Sequence, residues 1–432
     1  MIKNRDILIL LILAVVFVLL SVRFSTTDYT QKQTTKETLV SASSIHFDDV
    51  QKIELFRQGH KFIFENIEGN WKQTSPFDMQ MDVISMHALI ESVQGVQVLG
   101  KVLDPSSAPS LENSEGMEYI SLSDGQDEVT IFLGRKTLGG RAYAQLKGAP
   151  VSLVDQSLHR RALEMDYRLW RDVRLFPNFA IDGILVERNV EGNQLIVARS
   201  DGKWSMLVPV VTRVDQEMFA VWVGRLAGAR VGTYVLDEPE EYSMFGLDQA
   251  PASFTTTDRQ GVSRTLLIGG RVSAGSSDRY VMLKGQPVVF RMKWDALSGL
   301  FPVPEMFIDA TGSGVSKYDV KQVVLRFENE ELVFTRDLHR WIGKNGLQTN
   351  GDEVDALLTW ILEAKPPSVA LGEYPSADEV ATVTMVGYDS LPLDTVRIAL
   401  DPSGQWILEN GDTVLRLHPA ESGSAFTHFQ KK

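Results

Sequence analysis

The feature that most constrains this 432-residue chain is a long internal repeat. Trp71, Trp204 and Trp341 lie 133 and 137 residues apart, and each follows two segments in which apolar and polar residues alternate. Such alternation is typical of strands, and the short polar stretches between the segments are typical of hairpin turns. The recurrence at a nearly constant spacing indicates that one structural unit is used three times.

An aspartate follows each tryptophan by eleven residues, at Asp82, Asp215 and Asp352. Each precedes a helical pattern with apolar residues three and four apart, although the third pattern is one residue out of register. We therefore expect each aspartate to be the N-cap of a helix that packs on a sheet. The alternative of three metal sites is disfavoured because no second carboxylate or histidine recurs with the aspartate.

The second half of the unit recurs as well. YAQLKGAPV at residues 143–151 matches YVMLKGQPV at residues 280–288, so Tyr143 and Tyr280 are equivalent, and WILENGDTV at residues 406–414 is a fainter third copy. The Lys-Gly or Asn-Gly pair in each copy predicts a hairpin turn. Each unit is thus predicted to contain a hairpin, a short strand with the tryptophan, one helix and a four-strand meander.

The N-terminus predicts a membrane location. Residues 7–20 are fourteen consecutive apolar residues preceded by Lys3 and Arg5, which fits a secretory signal peptide or an uncleaved anchor. The small residues that a cleavage site requires are not convincing here, so the anchor is favoured. The basic residues predict a cytoplasmic N-terminus and a single-pass inner (cytoplasmic) membrane protein with its body in the periplasm or outside. Residues 26–44 are rich in Thr, Gln and Lys and predict a flexible stalk.

Together these patterns predict an α+β fold. An N-terminal transmembrane helix is followed by three related strand-rich repeats, each with antiparallel hairpins and one packed helix. The predicted segments are a cytoplasmic N-terminus at 1–6, a transmembrane anchor at 7–24, the flexible stalk at 26–44, repeat units at 47–177, 178–305 and 316–420, and a tail at 421–432.

The sequence offers few signs of chemistry. Its net charge of −13 disfavours nucleic-acid binding, and the absence of cysteine excludes disulfides and cysteine-based metal or catalytic sites. The seven histidines lack the spacing of a zinc site. The repeated tryptophans could form a stacking surface for sugars or bases, but a buried anchor is the favoured interpretation. We therefore predict no catalytic residue, no cofactor and no metal ion.

One motif resembles a known family. YSMFGLDQAP at residues 242–251, with Gly246, Leu247 and Asp248 at its centre, resembles the Y/F-G-L-D-x-P signature of the bacterial domain of unknown function 4340. WRDVRL at residues 170–175 resembles the R-D-x-R-L element of that family, and the resemblance extends over most of residues 45–420. The first and third copies of the repeat lack a clear G-L-D-x-P element. Members are usually single-anchor envelope proteins encoded beside an ABC-2-type exporter and a gliding-motility-type auxiliary protein.

The resemblance implies an accessory or binding protein of an envelope ABC export system, and a non-catalytic role is favoured because the sequence contains no local arrangement of catalytic or metal-binding residues. Its implied partners are the membrane, through the N-terminal helix, and proteins of an ABC-2-type transporter complex. Two alternatives stay open: a structural or adhesive envelope repeat protein, and an envelope hydrolase whose site is assembled from distant loops. The family motifs identify no catalytic residue.

Overall fold

The computed structural model describes residues 37–102, 110–112, 114–177, 179–327, 330–344, 351–372 and 377–430. The predicted cytoplasmic N-terminus, the predicted anchor and residues 26–36 of the predicted stalk lie outside these residues. Within these ranges, no helix has both the length and the apolar character needed to cross a membrane. The chain divides between residues 172 and 173 into two compact units.

The first unit contains one antiparallel sheet of nine strands. The strands are β1 (Lys52–Arg57), β2 (His60–Ile67), β3 (Asn70–Ser75), β4 (Met79–Gln80), β5 (Val98–Lys101), β6 (Tyr119–Ser123), β7 (Glu128–Thr137), β8 (Arg141–Leu146) and β9 (Ser152–Asp155). Their order across the sheet is β4-β3-β2-β1-β6-β7-β8-β9-β5. The strands β4 and β5 are adjacent in sequence but lie at opposite edges, so the chain crosses the sheet between them.

The second unit contains two antiparallel sheets. The second sheet of the protein comprises β10 (Gly183–Val190), β11 (Leu195–Ser200), β12 (Lys203–Val208), β13 (Thr212–Arg213), β14 (Thr233–Asp237), β15 (Ala252–Asp258), β16 (Ser263–Arg271), β17 (Arg279–Leu283) and β18 (Val288–Met292). The third comprises β19 (Gln322–Arg326), β20 (Glu331–Asp337), β21 (Arg340–Gly343), β22 (Ser368–Leu371), β23 (Asp378–Val386), β24 (Pro392–Leu400), β25 (Trp406–Glu409) and β26 (Val414–His418). Their orders are β13-β12-β11-β10-β15-β16-β17-β18-β14 and β21-β20-β19-β23-β24-β25-β26-β22, which follow the same scheme as the first sheet.

The helices of the described residues are mostly short. The α-helices are α1 (Val83–Gln94), α2 (Ser157–His159), α3 (Phe179–Asp182), α4 (Gln216–Ala227), α5 (Trp294–Ser298), α6 (Gly351–Leu362) and α7 (Ser424–Gln430). A π-turn at Arg160–Glu164 continues α2, and 3-10 turns lie at Phe47–Asp49, Tyr167–Trp170, Ser243–Phe245, Pro304–Phe307, Lys317–Asp319 and Ala420–Gly423. The prediction of a strand-rich α+β fold is therefore confirmed.

The three longest helices of the described residues, α1, α4 and α6, each cover one face of a sheet, which we call its inner face. They bury the predicted apolar stripes: Met86, Leu89, Ile90 and Val93 in α1, Phe219, Trp222, Val223 and Leu226 in α4, and Leu357, Leu358, Ile361 and Leu362 in α6. Each such side chain stabilises the fold by roughly 1.5–3 kcal/mol when it leaves water. The opposite face of each sheet, the outer face, carries the more polar side chains.

Two terminal segments are more ordered than the sequence suggests. Residues 37–44, the end of the predicted stalk, pack on the first unit, where Val40 is buried and the Leu39 N–H donates to the Val96 carbonyl (2.9 Å). The predicted tail includes α7, whose Phe426 and Phe429 join the core of the third sheet. In both cases one or two apolar residues in a polar segment supply the burial that holds it. The boundaries of the three repeat units remain predictions.

Candidate functional site

The three repeated tryptophans belong to the cores. They lie on equivalent strands, Trp71 on β3, Trp204 on β12 and Trp341 on β21, and all are buried. Two of them contact the following helix directly: the ring of Trp204 lies 4.9 Å from that of Phe219, and Trp341 Nε1 donates to Asp355 Oδ1 (3.2 Å). Since the rings are covered, they are not placed to stack on a ligand.

The repeated aspartates differ in their positions. Asp82 caps α1 by accepting from the Ser85 N–H (2.8 Å), and Asp215 caps α4 by accepting from the Met218 N–H (3.0 Å). Asp352 lies within the first turn of α6, which begins at Gly351, so it is not the predicted N-cap. The helices α1 and α4 begin one residue after their aspartates, whereas α6 begins one residue before Asp352, so the third aspartate differs by two positions from the other two.

The loop at residues 242–251 closes part of the outer face of the second sheet. Gly246 has φ 64°, a left-handed conformation that favours glycine. The turn inserts Leu247, which is 3% exposed, into a small apolar cluster with Met282 and Val289, while Asp248 remains exposed. A Cβ at Gly269 would lie 2.3 Å from the Phe245 carbonyl oxygen, so the strand needs glycine here for the loop to approach.

The two repeated tyrosines also lie on outer faces. Tyr280, on β17, packs edge-on against Phe245 with 5.0 Å between ring centroids. Tyr143, on β8, lies under the Arg135 guanidinium at 5.7 Å from the ring centroid. The hairpins that follow turn at Gly148 and Gly285, both with positive φ, as the Lys-Gly pairs predict.

A line of polar side chains crosses the outer face of the first sheet and recurs in the second. We call these lines the first polar row (Glu54, Ser121, Thr130 and Lys147) and the second polar row (Glu187, Thr255, Thr265 and Lys284). The carboxylate and the two hydroxyls of each row lie opposite one another on three neighbouring strands. Each lysine continues its row through the backbone. The backbone N–H of Lys147 donates to the Thr130 carbonyl (2.9 Å), and that of Lys284 donates to the Thr265 carbonyl (2.8 Å).

The hydroxyl pair at the centre of the row is present in all three sheets. The side-chain oxygens are 3.0 Å apart in Ser121–Thr130, 2.9 Å apart in Thr255–Thr265 and 3.1 Å apart in Thr384–Thr395. In the third sheet, Val324 takes the position of the carboxylate. The complete row of carboxylate, two hydroxyls and lysine is therefore a property of the first two sheets.

The first sheet adds an aromatic ladder beside its polar row. Phe56, Tyr119 and Phe132 lie opposite one another on three strands and are half-buried. The ring centroids are 5.7 Å apart for Phe56 and Tyr119 and 6.2 Å apart for Tyr119 and Phe132. The matching residues in the second sheet are Asn189, Ser253 and Leu267. The aromatic ladder thus distinguishes the first outer face from the second.

Hydrogen bonds from Tyr119 and Lys61 favour the ionised form of Glu54, the carboxylate of the first polar row. The Tyr119 hydroxyl donates to Glu54 Oε1 (2.6 Å), and Lys61 Nζ lies 2.8 Å from the same oxygen. Burial raises the pKa of Glu54, but the hydrogen bonds from Lys61 and Tyr119 outweigh it and leave this pKa below its ordinary value. Burial, and then the bond to Glu54, raise the pKa of Tyr119 to about 12. At neutral pH, Glu54 is therefore an anion and Tyr119 a neutral donor.

A second polar cluster joins the second and third sheets within the second unit. Arg416, whose side chain is fully buried, makes a paired contact with Asp412 (2.7 and 3.0 Å), and Thr212 of the second sheet donates to the same carboxylate. Arg213 pairs with Asp309 (3.2 Å). Burial raises the pKa of Asp412, but the bonds from Arg416 and Thr212 lower it by more. Because both carboxylates are already paired with arginine, this cluster fits a structural connection better than a reaction centre.

The described residues contain no group of three His, Asp or Glu side chains placed to hold a metal ion. The sequence-predicted anchors are distributed over three cores, two outer faces and one loop. The first polar row and the aromatic ladder were missed from the sequence. The sequence did contain one signal for the polar rows, because the Lys-Gly pair that predicts each hairpin turn also supplies the lysine of the row.

The comparison with known proteins concerns the second unit. A family model, Domain of unknown function (DUF4340), matches residues 204–382, from Trp204 on β12 to Thr382 on β23. The match includes the loop at residues 242–251 and is shorter than the region of resemblance, 45–420. Neither the curated proteins nor the solved structures that were compared contain a match to the chain. Over residues 204–382, which are less than half of the chain, the resemblance to the family Domain of unknown function (DUF4340) is therefore confirmed.

Proposed function

We propose that this protein is a membrane-anchored, extracytoplasmic accessory protein of an envelope ABC export system that works by binding and not by catalysis. The observation that carries the proposal is the repeated architecture: three sheets each place their long helix on the inner face only. Within each unit, a sheet face that is not covered by a helix provides an extended surface for a partner. The match to the family model supports the same role only through the genomic association that the resemblance implies.

The N-terminus supports the location in this proposal. Residues 7–24 would hold the chain at the membrane, and residues 26–36 would connect the anchor to the packed segment that begins at residue 37. A spacer of eleven residues, if it is flexible as the sequence predicts, would have a root-mean-square reach of roughly 18 Å. That distance lets the body contact a neighbouring complex while it stays near the bilayer.

Crosslinked co-purification from native membranes tests the proposal. The full chain carries a C-terminal tag, and the matched control replaces residues 1–25 with a cleavable signal peptide so that the body is secreted without an anchor. We expect the anchored chain, and not the control, to recover the permease and ATPase of an ABC exporter. Recovery of neither transporter component would contradict the proposal, and recovery of envelope structural proteins alone would favour the structural alternative.

Point variants separate binding from catalysis. If the protein works by binding, alanine at any single histidine leaves its function in the export assay largely intact. A folded variant that loses all activity after one such change, for instance at the exposed His87, would contradict the binding-only role. That result would favour the hydrolase alternative.

A further inference from the structure

The outer face of the first sheet contains a cavity of about 300 Å³. Its floor is the first polar row, and Tyr119 and Phe132 of the aromatic ladder form part of its wall. Lys52 and Glu128 complete the charged part of the lining. The volume is at the lower end of the range for small-molecule sites, which suits a ligand the size of one or two sugar rings.

The cavity is lined by anionic acceptors and cationic donors that have unused hydrogen-bonding capacity. Glu54 and Glu128 each make their described hydrogen bonds through Oε1, so Oε2 of each carboxylate keeps its capacity to accept. In the described part of the chain, no side-chain hydrogen bond or ion pair engages the ammonium groups of Lys52 or Lys147. A ligand hydroxyl both donates and accepts, so it can satisfy either kind of group.

The charges that line the cavity are balanced. Two lysines, Lys52 and Lys147, face two carboxylates, Glu54 and Glu128. A site for a polyanion would carry an excess of cationic groups, as phosphate-binding surfaces do. The balance therefore favours a neutral ligand that is rich in hydroxyl groups.

The aromatic ladder supplies the apolar part of the recognition. A sugar ring has a polar rim of hydroxyls and an apolar face of C–H groups, and that face packs on an aromatic ring as other apolar groups do. Tyr119 and Phe132 are half-buried, so one part of each ring is fixed by packing while another part lines the cavity. The strands below are central in the sheet, and their backbone groups are already paired, so a peptide cannot bind here by adding a strand.

We infer that the outer face of the first sheet is a binding site for a neutral glycan segment, with one sugar ring packed on Tyr119 and Phe132 and its hydroxyls bonded to Glu54, Glu128 and Lys147. The inference goes beyond the proposed accessory role and does not rest on it. The second outer face keeps the second polar row but has Leu267 in place of Phe132 and no aromatic ladder. It therefore serves as an internal control.

The test uses the purified full chain in a detergent without a sugar headgroup, since such a headgroup would compete. The probes are cellotetraose and chitotetraose, with tetragalacturonate as a charged comparison, and binding is measured by saturation-transfer NMR and calorimetry. We expect at least one neutral tetrasaccharide to bind and Phe132→Ala to weaken its affinity about tenfold. Lys147→Ala is expected to weaken it by a smaller factor.

The matched controls are Leu267→Ala and Lys284→Ala, which change the equivalent positions of the second sheet and should leave the affinity unchanged. Circular dichroism and proton chemical shifts verify that each variant is folded. If Phe132→Ala does not fold, the isosteric variant Glu128→Gln is used in its place. Three results would each overturn the inference: no binding of either neutral probe at millimolar concentration, equal binding by the folded Phe132→Ala or Glu128→Gln variant, or preferential binding of tetragalacturonate. None of them bears on co-purification with an exporter, so the two proposals fail independently.

Discussion

The first and second sheets have equivalent inner faces and different outer faces. On the inner side, both bury a tryptophan on the third strand and both cap the following helix with aspartate. On the outer side, part of the second sheet is covered by Leu247, which packs on Met282. The first sheet has Gln145 at the position of Met282, where it accepts from the Leu111 N–H (2.6 Å) beside a cavity of about 670 Å³. The inner face is constrained by helix packing, so differences in function are expected on the outer faces.

The largest expected effect tests whether the inner faces are equivalent. Trp71→Ala and Trp204→Ala should each destabilise their own sheet by roughly 3–5 kcal/mol, because each leaves a large cavity in a core. Hydrogen–deuterium exchange of the full chain measures this locally, which is necessary because a chain with several cores has no single unfolding transition. Trp294→Ala, at a side chain that is 40% exposed, is the control and should have a much smaller effect. A small effect of either core variant would show that the inner faces are not equivalent.

The third sheet provides a second test, at a buried ionisable group. His418, at the end of β26, is 2% exposed where the second sheet has Met292, and burial, followed by the charge of Arg416, lowers the pKa of His418 to about 4. The unfolded chain, with a histidine pKa near 6.5, binds more protons between these values. Stability contributed by neutral His418 is therefore present above about pH 6.5 and lost as pH falls towards about 4, by on the order of 3 kcal/mol.

His418→Met isolates this contribution, since other groups also titrate in the same range. Hydrogen–deuterium exchange in β25 and β26 measures the local stability of the wild-type protein and of the variant at several pH values, after correction for the intrinsic pH dependence of exchange. As pH falls from about 6.5 towards about 4, the wild-type protein should lose on the order of 3 kcal/mol relative to the variant. A difference that is independent of pH would mean that His418 is not neutral in the folded protein.

The next effect tests the difference between the outer faces. Leu247→Ala should destabilise the second sheet by about 2–3 kcal/mol because it removes a buried side chain from a small apolar cluster. Met117 follows the left-handed Gly116 in the first sheet as Leu247 follows Gly246 in the second, but it is only partly buried. Met117→Ala should therefore cost less than half as much in local exchange measurements. Equal costs would mean that the outer face of the first sheet is covered as fully as that of the second.

The sequence predicts the inner faces better than the outer ones, for a physical reason. Helix stripes, caps and turn glycines are local patterns, and they identify the packing of Trp71 and Trp204 without knowledge of strand order. The first polar row depends on residues from β1, β6 and β7, and the row exists only because β1 pairs with β6 across the helix connection. The strands β5, β14 and β22 were missed for the same reason, since each pairs with a strand that is distant in sequence. The burial of Val40 was also not predicted, because it is a single apolar residue in a polar segment.

The smallest expected effect concerns the helix caps. Asp82→Ala and Asp215→Ala should each cost about 1 kcal/mol, because each leaves a backbone N–H of the first helical turn without its acceptor. Asp215 also pairs with Lys365 (2.8 Å), whose side chain is 59% exposed, so this ion pair should add little. Asp352→Ala should cost roughly 0.5 kcal/mol, since a carboxylate in the first turn interacts with the helix dipole without capping it.

These three variants are compared by exchange rates at the first turns of α1, α4 and α6, with Lys365→Ala as the control for the ion pair. Asp82→Ala and Asp215→Ala are expected to destabilise most and by similar amounts. Asp352→Ala should destabilise less, and Lys365→Ala least. Substituting Asn for Asp82 and Asp215 should retain most of the stability, because the amide oxygen also accepts the N–H bond. If Asp352→Ala were as costly as Asp82→Ala, the third helix would be capped like the other two in solution, and the register difference between the repeats would have no energetic consequence.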